Sequence, residues 1–307
     1  NNRETLSIIE YPSLSWGRIA RDGRSYARIL YLAAIERHWF FLEHGIQHQG
    51  LLQHRVRHQH LPAQGEAKGT IVAFHGYRSL APIDFALEVE FFHGLGCDVL
   101  LPYQRSHGES QGRYITYGVK ERFDCRDWAR YAQERFGTRQ NIFLMGISMG
   151  ASTVLMASGL ELPDTVRGIV ADCGYTSPRE ITRKCLPEYL PGMPLELTYA
   201  VGRLGAILFG HFDPEDADCE AAAAQSKVPI LFVHGDADGF VPYDMGKRNY
   251  EACRAKGKKF LTVHGAEHAV SYYHDNDAYT KQATEFLQDC LARRGFVWPP
   301  ETDEPEK

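Results

Sequence analysis

The sequence predicts an α/β fold with a mostly parallel, doubly wound sheet and a helical cap insertion. From Thr70 onward, short apolar runs alternate with amphipathic stretches, which is typical of parallel strands joined by helices. Two of the runs, residues 142–145 and 229–233, are continuously apolar, as expected for strands that are buried on both faces. A later interval, residues 176–226, is rich in apolar residues but has no strand pattern, and this combination predicts a helical insertion between two strands.

Strands are assigned where short apolar runs end at turn residues, and helices where apolar residues recur with the helical period. The predicted strands cover residues 70–74, 98–101, 142–145, 166–171, 228–233 and 260–263. The predicted helices cover residues 82–93, 119–136, 149–158, 243–255 and 277–292.

The core is predicted to consist of residues 66–175 and 227–295, with a helical cap at 176–226 between them. The cap interval carries more apolar side chains than a loop should, and long insertions of this kind are usually functional. Two ordinary crossover helices are the alternative. Prolines interrupt the interval, among them Pro187, Pro191, Pro194 and Pro214.

The two ends of the chain give weaker patterns. Residues 1–65 are expected to form a helical and hairpin extension packed on the core, with a helix over 25–38 and an antiparallel pair within 39–60 that turns at Gly45 or Gly50. Residues 299–307 are acidic and contain prolines, so a disordered tail is expected.

Composition and charge exclude several kinds of partner. The 307 residues are 44% hydrophobic and 24% charged, with a formal net charge of −5, which argues against nucleic acid or an anionic membrane as the main partner. No run approaches the roughly 18–20 apolar residues of a membrane span, so no stable membrane insertion is expected.

No signal-peptide pattern opens the chain, although it begins at Asn1 and an earlier leader is left open. Seven scattered cysteines without CxxC spacing favour reduced thiols and a cytoplasmic location.

The motif from Gly146 to Gly150 follows a predicted strand and opens a predicted helix. In this setting a Gly-x-Ser-x-Gly pattern is typical of a sharp turn that presents its serine, here Ser148, as a nucleophile at the carboxyl edge of the sheet. The alternative is that Ser148 caps the helix.

A serine nucleophile needs a base, and the base needs an acid that orients it. In this type of fold the chain order is serine, acid, histidine. Asp238 follows a buried strand and is the predicted acid. Asp172, which follows another strand, is an alternative, and so is Asp236, which is better suited to shaping its own turn.

The predicted base is His268, which follows the last predicted strand in the stretch Gly265-Ala266-Glu267-His268. His264 and His274 are the local competitors. His264 is expected to lie within the strand and to be structural, so the geometric logic of the three groups favours His268.

Acyl transfer also requires donors for the oxyanion of the tetrahedral intermediate. The expected donors are the backbone N–H of Met149, directly after the serine, and that of Tyr77, in an early loop. Gly76 allows the backbone to approach closely there. His75 is expected to shape this loop rather than to act as a base.

These motifs together resemble the α/β-hydrolase superfamily, over about residues 69–291. Within it, the sequence is similar to a bacterial serine esterase and peptidase-like branch with a helical cap. One departure is Ser106, which stands where the family has glycine in an Arg-Gly-His-Gly loop. The resemblance extends to no motif in the first 65 residues. The residues that carry it are His75-Gly76, Arg105 to Ser110, Gly146 to Gly150, His234 to Asp238 with Val241-Pro242, and Gly265 to His268.

The resemblance and the motifs predict a serine hydrolase that cleaves carboxylic esters of small to medium hydrophobic acyl groups, a carboxylesterase with a small-molecule substrate. Peptidase, thioesterase or acyltransferase activity needs the same parts, and a non-catalytic binding protein on this fold is the other alternative. No cofactor and no metal are expected, and a homo-oligomer is left open. Early histidines with weak metal-ligand spacing are better explained by packing or solvation: His38, His44, His48, His54, His58 and His60.

Overall fold

The computed structural model describes residues 46–49, 57–137 and 141–296, without the side chains of residues 46–49 and 57. The predicted helix over 25–38, most of the extension formed by residues 1–65, and the tail at 299–307 lie outside the described residues.

The described strands form one eight-stranded sheet in the order β1-β2-β4-β3-β5-β6-β7-β8. The pairs β1–β2 and β2–β4 are antiparallel, and all other neighbouring strands are parallel. The strands are β1 (Ile46–Gln49), β2 (Arg57–Leu61), β3 (Gly69–Phe74), β4 (Cys97–Pro102), β5 (Ile142–Ile147), β6 (Val166–Asp172), β7 (Ile230–Gly235) and β8 (Lys259–Val263).

Helices cover both faces of the sheet. Side chains of α3, α4, α7 and α8 pack on one face, and those of α1, α2, α9 and α10 on the other. The described helices are α1 (Ala81–Asp84), α2 (Glu88–Gly94), α3 (Glu121–Phe136), α4 (Met149–Ser158), α5 (Pro178–Tyr189), α6 (Leu195–Gly205), a π-helical turn (Ala206–Gly210), α7 (Cys219–Gln225), α8 (Tyr243–Ala252), α9 (Ser271–His274) and α10 (Asn276–Ala292).

The continuous apolar runs are explained by burial on both sides of the sheet. Every residue of β3, β4, β5 and β7 is buried. Along β5, Leu144 faces the layer of α3 and α4, whereas Phe143 and Met145 face the layer of α2 and α10. Because successive strand side chains point to opposite faces, a strand covered on both faces is apolar at most positions.

The predicted doubly wound fold is confirmed, with small differences at element ends. The predicted helix over 82–93 is two helices, α1 and α2, because the chain leaves the helical path at Phe85–Leu87 and buries Phe85 and Ala86. The antiparallel pair expected within 39–60 is β1 with β2. The two positions predicted for the turn of this pair, residues 45 and 50, lie outside the described part, as do residues 51–56.

A helical segment separates β6 from β7. Helix α5 begins at a cap in which the Ser177 hydroxyl accepts from the Glu180 N–H, followed by a proline at the first helical position. Helix α5 contributes Ile181 to the core, whereas α6 and the π-helical turn lie outside the sheet layers. Helix α7 places Cys219 and Ala223 in the core beside α4. We call residues 178–212 the helical insertion. In the part of the chain described, no helix is long and apolar enough to cross a membrane.

Backbone segments approach one another closely around the turn between β5 and α4. A Cβ on Gly150 would lie 1.8 Å from the Phe74 carbonyl oxygen, and one on Gly146 would lie 2.2 Å from the Gly150 carbonyl. The strained backbone is not at these glycines but at Ser148, with φ 55° and ψ −116°. The glycines therefore allow close approach of backbone segments, and the serine itself adopts the unfavourable conformation.

Replacing Gly150 with alanine should destabilise the fold by about 3 kcal/mol, because β3 or α4 must move to admit the methyl group. The measurement is the free energy of unfolding in denaturant. Gly202→Ala is the matched control, because Gly202 lies exposed within α6 with nothing near its Cβ position. That change should be neutral or stabilise by up to roughly 1 kcal/mol. Equal stability of the two variants would contradict the close contact.

Candidate active site

Ser148 lies at the carboxyl end of β5, with its side chain aimed at the loop after β8. Its N–H donates to the Asp172 carbonyl at 2.9 Å, which continues the pairing of β5 with β6. The hydroxyl makes no capping hydrogen bond to α4, so the helix-capping alternative is wrong. Instead, Oγ lies 2.9 Å from Nε2 of His268.

His268 bridges the serine and an acid. Its Nδ1 lies 2.7 Å from Oδ2 of Asp238 and its Nε2 faces Ser148. A proton on Nδ1 donated to the carboxylate leaves Nε2 as an acceptor for the serine hydroxyl. The Phe240 ring packs against the imidazole, with the two ring centroids 5.0 Å apart, and limits the movement of the imidazole.

Asp238 is held as a carboxylate by donors on all sides. Its Oδ1 accepts from the N–H groups of Phe240 and Val241, at 2.9 and 2.8 Å. On the Oδ2 side, Nε2 of the buried His234 lies at 3.4 Å, beside His268. Burial alone would raise the pKa of Asp238, but the hydrogen bonds from the two histidines and the Val241 amide hold it well below its ordinary value.

The competing groups have other partners. Asp236 accepts from Nδ1 of His264 at 2.8 Å and from the Gly265 N–H at 2.6 Å, which closes the turn between the two loops. The expectation that His264 belongs to the strand is wrong: β8 ends at Val263, and His264 is exposed in the following turn. His274 ends α9 and is exposed.

Asp172 supports the histidine loop from beneath. It is buried at the end of β6 and accepts from the Ser271 hydroxyl at 3.0 Å. Burial raises its pKa to about 6. Since Ser271 lies three residues after His268, this hydrogen bond anchors the loop that carries the histidine.

The loop after β3 brings Gly76 against Ser148 and places Tyr77 in the wall of a cavity that Ser148 also lines. A Cβ on Gly76 would lie 3.5 Å from the Ser148 Cβ. The Gly76 N–H donates to Oδ2 of Asp84 at 2.6 Å, and the Ser79 hydroxyl donates to the other oxygen at 2.5 Å. None of the described residues accepts a hydrogen bond from the Tyr77 N–H. Met149 is the first residue of α4, where N–H groups lack an intrahelical acceptor.

Two neutral histidines fix this loop from behind. Nε2 of His75 accepts from the Gln104 N–H at 3.0 Å, so its Nδ1 donates to the Gly76 carbonyl. Burial lowers the pKa of His75 to about 3, which agrees with a loop-shaping role. Nε2 of His107 accepts from the Arg78 N–H at 3.1 Å.

The loop between β4 and α3 is fixed by two carboxylates. Glu121 is fully buried and accepts from the Thr116 and Gly118 N–H groups, both at 2.9 Å. Asp124 forms a bidentate ion pair with Arg105, in which both N–O distances are 2.6 Å. This fork geometry is the strongest form of the arginine–carboxylate pair.

A cavity of about 370 Å³ opens against Ser148, between the sheet edge and the helical insertion. Its walls are mostly aromatic and aliphatic, and none of the described residues that line it is an aspartate or glutamate. Besides Ser148, the residues that line the cavity are Tyr77, Arg78, Tyr117, Met149, Tyr175, Ile181, Thr182, Cys185, Leu186, Tyr189 and Phe240.

One group of potential metal ligands occurs among the described residues. Cys173, Asp238 and His268 have donor atoms within 4.8 Å of one another. Burial raises the pKa of the Cys173 thiol well above its ordinary value, and the other two side chains already bind each other. A protonated thiol is a poor ligand, so this set does not suit a metal ion.

The structure brings the five sequence-predicted site residues to one edge of the sheet: Ser148, Asp238, His268, Tyr77 and Met149. Sequence reasoning missed the supporting roles of Asp84, His107 and His234. His107 and His234 belong to the motifs that carry the family resemblance, but the sequence assigned no function to them. Asp84 lies within the predicted helix over 82–93, and no sequence pattern distinguished it from a solvent-exposed aspartate.

Comparisons with known proteins identify the family of this chain. A family model described as alpha/beta hydrolase fold matches residues 70–217, and one described as TAP-like protein matches residues 212–294. The chain belongs to the α/β-hydrolase superfamily.

Similar proteins come from several organisms. The uncharacterized protein YqkD of Bacillus subtilis is 28% identical over 229 residues, which are 74% of this chain and 73% of that protein. The Pyrococcus furiosus esterase Pf2001 superimposes with a TM-score of 0.63 at 19% identity, covering 80% of this chain and 91% of that one. Est1E of Butyrivibrio proteoclasticus, solved with ferulic acid bound, has a TM-score of 0.58 at 18% identity, over 80% and 99% of the two chains. At these identities the structural likeness concerns the fold.

A further buried acid, Glu88, lies close to Asp172 and Asp84. Glu88 opens α2 and is 2% exposed, and among the described residues its Oε2 has no hydrogen-bond partner. Burial, with smaller contributions from Asp172 and Asp84, raises its pKa to about 8. The folded protein therefore binds this proton more tightly than the unfolded chain, whose glutamate has the ordinary value of 4.5.

This shift predicts a loss of stability as pH rises. The contribution of Glu88 is complete below about pH 4.5 and is lost progressively towards pH 8. Over that window, the free energy of unfolding of the wild type should fall relative to Glu88→Gln by up to about 1.4 kcal/mol per pH unit. Denaturant unfolding at pH 5, 6.5 and 8 measures it. Glu90→Gln, an exposed position on the same helix, is the control and should follow the wild type. Parallel curves for all three proteins would show that Glu88 is ionised in the fold.

Proposed function

We propose that the protein is a serine esterase that hydrolyses carboxylic esters with small to medium hydrophobic acyl groups. The observation that carries the proposal is the position of His268, hydrogen-bonded to Ser148 Oγ on one side and to Asp238 on the other. Family membership and this geometry support hydrolase activity, and the ester preference rests on the apolar cavity beside the serine.

In the first step Ser148 attacks the ester carbonyl while His268 takes the hydroxyl proton. The imidazolium is stabilised by Asp238, which is ionised and buried, and gives its proton to the departing alcohol. An acyl group is then bound to Oγ. Water repeats the sequence with His268 as base, releases the acid and restores the serine.

The oxyanion of each tetrahedral intermediate is held by the backbone N–H groups of Tyr77 and Met149. Asp84 supports this arrangement, because it binds the preceding Gly76 N–H and the following Ser79 hydroxyl and so fixes the direction of the peptide between them. Fixed donors of this kind contribute on the order of 10²–10³-fold to the rate.

The helical insertion acts as a cap that supplies the acyl side of the site. Ile181, Leu186 and Tyr189 of α5 line the cavity, opposite Met149 and Tyr175 of the core. Apolar walls with few polar groups suit an aliphatic or aromatic acyl chain. Folds similar to this one occur in an esterase, in a protein solved with ferulic acid and in a monoacylglycerol lipase, which supports an ester substrate.

Hydrolysis of p-nitrophenyl esters from acetate to palmitate tests the proposal. Wild type should turn over the short and medium esters, with a decline in kcat/KM once the chain exceeds the cavity, and Ser148→Ala should lose at least about 10³-fold. A fluorophosphonate should label wild type and not Ser148→Ala. Unchanged turnover by Ser148→Ala, or no label on the wild type, would refute the serine mechanism.

The choice of acid is tested by two substitutions in one loop. Asp238→Asn should lower kcat by roughly 10³-fold or more with little change in KM, because the amide can donate to Nδ1 and favours the wrong imidazole tautomer. Asp236→Asn should stay within several-fold of wild type, since an amide oxygen can still accept from the Gly265 N–H. Thermal unfolding confirms that both variants fold. If Asp236→Asn were the more damaging change, the assignment of the acid would be wrong.

A further inference from the structure

Arg78 is an uncompensated positive charge in the wall of the active-site cavity. It follows Tyr77 directly, and its guanidinium carbon lies 5.2 Å from the centre of the Tyr77 ring. Its backbone is in the left-handed region, with φ 54°, and its N–H is held by His107. No described carboxylate pairs with Arg78. The loop geometry thus places a cation at the cavity, and no carboxylate of the described residues pairs with it.

A second cavity, of about 500 Å³, adjoins the first across the same arginine. Arg78, Tyr77 and Tyr117 line both cavities, and the rings of the two tyrosines stack with centroids 5.3 Å apart. The second cavity adds Arg113, which also pairs with no described carboxylate. Among the described residues that line either cavity there is no aspartate or glutamate.

This distribution contrasts with that of the arginines in and beside the helical insertion. The chain carries a net charge of −5, and several described arginines are neutralised by an ion pair. Within and beside the helical insertion, Arg183 binds Glu196, Arg203 binds Asp213 and Arg248 binds Glu180. Two arginines that share one cavity without an acid therefore create a local positive potential at the mouth of the site.

We propose that the substrate carries an anionic group, a carboxylate or a phosphate, which binds between Arg78 and Arg113 in the second cavity. This inference rests on the proposed esterase function. The apolar acyl portion occupies the first cavity, the scissile carbonyl lies at Ser148, and the anion extends past Tyr77. Guanidinium groups bind both oxyanions through paired N–H donors, and stacking of Arg78 on the Tyr77 ring leaves those donors free.

Matched esters test the selectivity. The neutral reference is p-nitrophenyl hexanoate; mono-p-nitrophenyl adipate has a carboxylate at the acyl end, and the hexanoyl ester of 4-hydroxy-3-nitrobenzoate has one on the leaving group. The ratio of kcat/KM for an anionic ester to that for the neutral one should fall by about ten-fold or more in Arg78→Gln and in Arg113→Gln. It should also fall with added NaCl.

Arg254→Gln is the control of equal charge change. Arg254 is exposed beside Val166 and Val228, at the amino edge of the sheet, opposite the edge that carries Ser148. Its ratios should equal those of wild type. The inference would be overturned if the kcat/KM ratio of anionic to neutral ester were the same in wild type, Arg78→Gln and Arg113→Gln for both anionic esters. The neutral ester and Ser148→Ala report separately on the esterase function.

Direct binding keeps the inference testable if no ester is hydrolysed. Titration calorimetry on Ser148→Ala compares hexyl phosphate, hexanoate and 1-hexanol, which share one chain. At least one anion should bind about ten-fold or more tightly than the alcohol, and Arg113→Gln in this background should remove the difference. The tighter anion identifies the substrate group as phosphate or carboxylate. Equal affinity for all three ligands would refute the anion site.

Discussion

The close approach of α4 to the end of β3 is the constraint on which the site depends. Because Gly150 lies against the Phe74 carbonyl, the helix begins immediately behind the strand, and Ser148 must turn sharply to enter it. That turn directs the hydroxyl away from the helix and towards His268. The same contact brings the first N–H groups of α4 next to the loop after β3. One packing contact thus sets the positions of both the hydroxyl and its neighbouring backbone donors.

Buried acids around this turn are held in two different states. Asp238 receives donors from histidines and backbone amides, so its charge is balanced within the loop. Among the described residues, Asp172 accepts from the Ser271 hydroxyl and Oε2 of Glu88 has no partner, and burial raises the pKa of each. The site therefore contains one ionised carboxylate beside the imidazole and protonatable carboxyls behind it. This separation confines the negative charge to the place where an imidazolium would form.

Much of this arrangement could be predicted from the sequence, because it depends on local patterns. Continuous apolar runs predicted buried parallel strands, and polar residues directly after those strands predicted that Ser148, Asp238 and His268 would share one edge. The contacts of Asp84 and His107 with the Tyr77 loop could not be predicted. The partners of His107 lie up to 29 residues away, and a single polar side chain carries no periodic signal of where it will pack. Glu88 was hidden for the same reason, since a glutamate in a helix usually faces water.

The helical insertion enters and leaves the fold between β6 and β7, while the residues around Ser148, Asp238 and His268 lie on other connections. Its helices meet the core at a few positions near Ser177 and Phe212, and α7 resumes the regular packing. Recombination at those two junctions would exchange one wall of the cavity and leave the hydrogen-bonded groups beneath it in place. In evolutionary terms, the shape and polarity of the cavity can diverge in this chain by replacement of a contiguous segment of about 35 residues, without a compensating change in Ser148, His268 or Asp238.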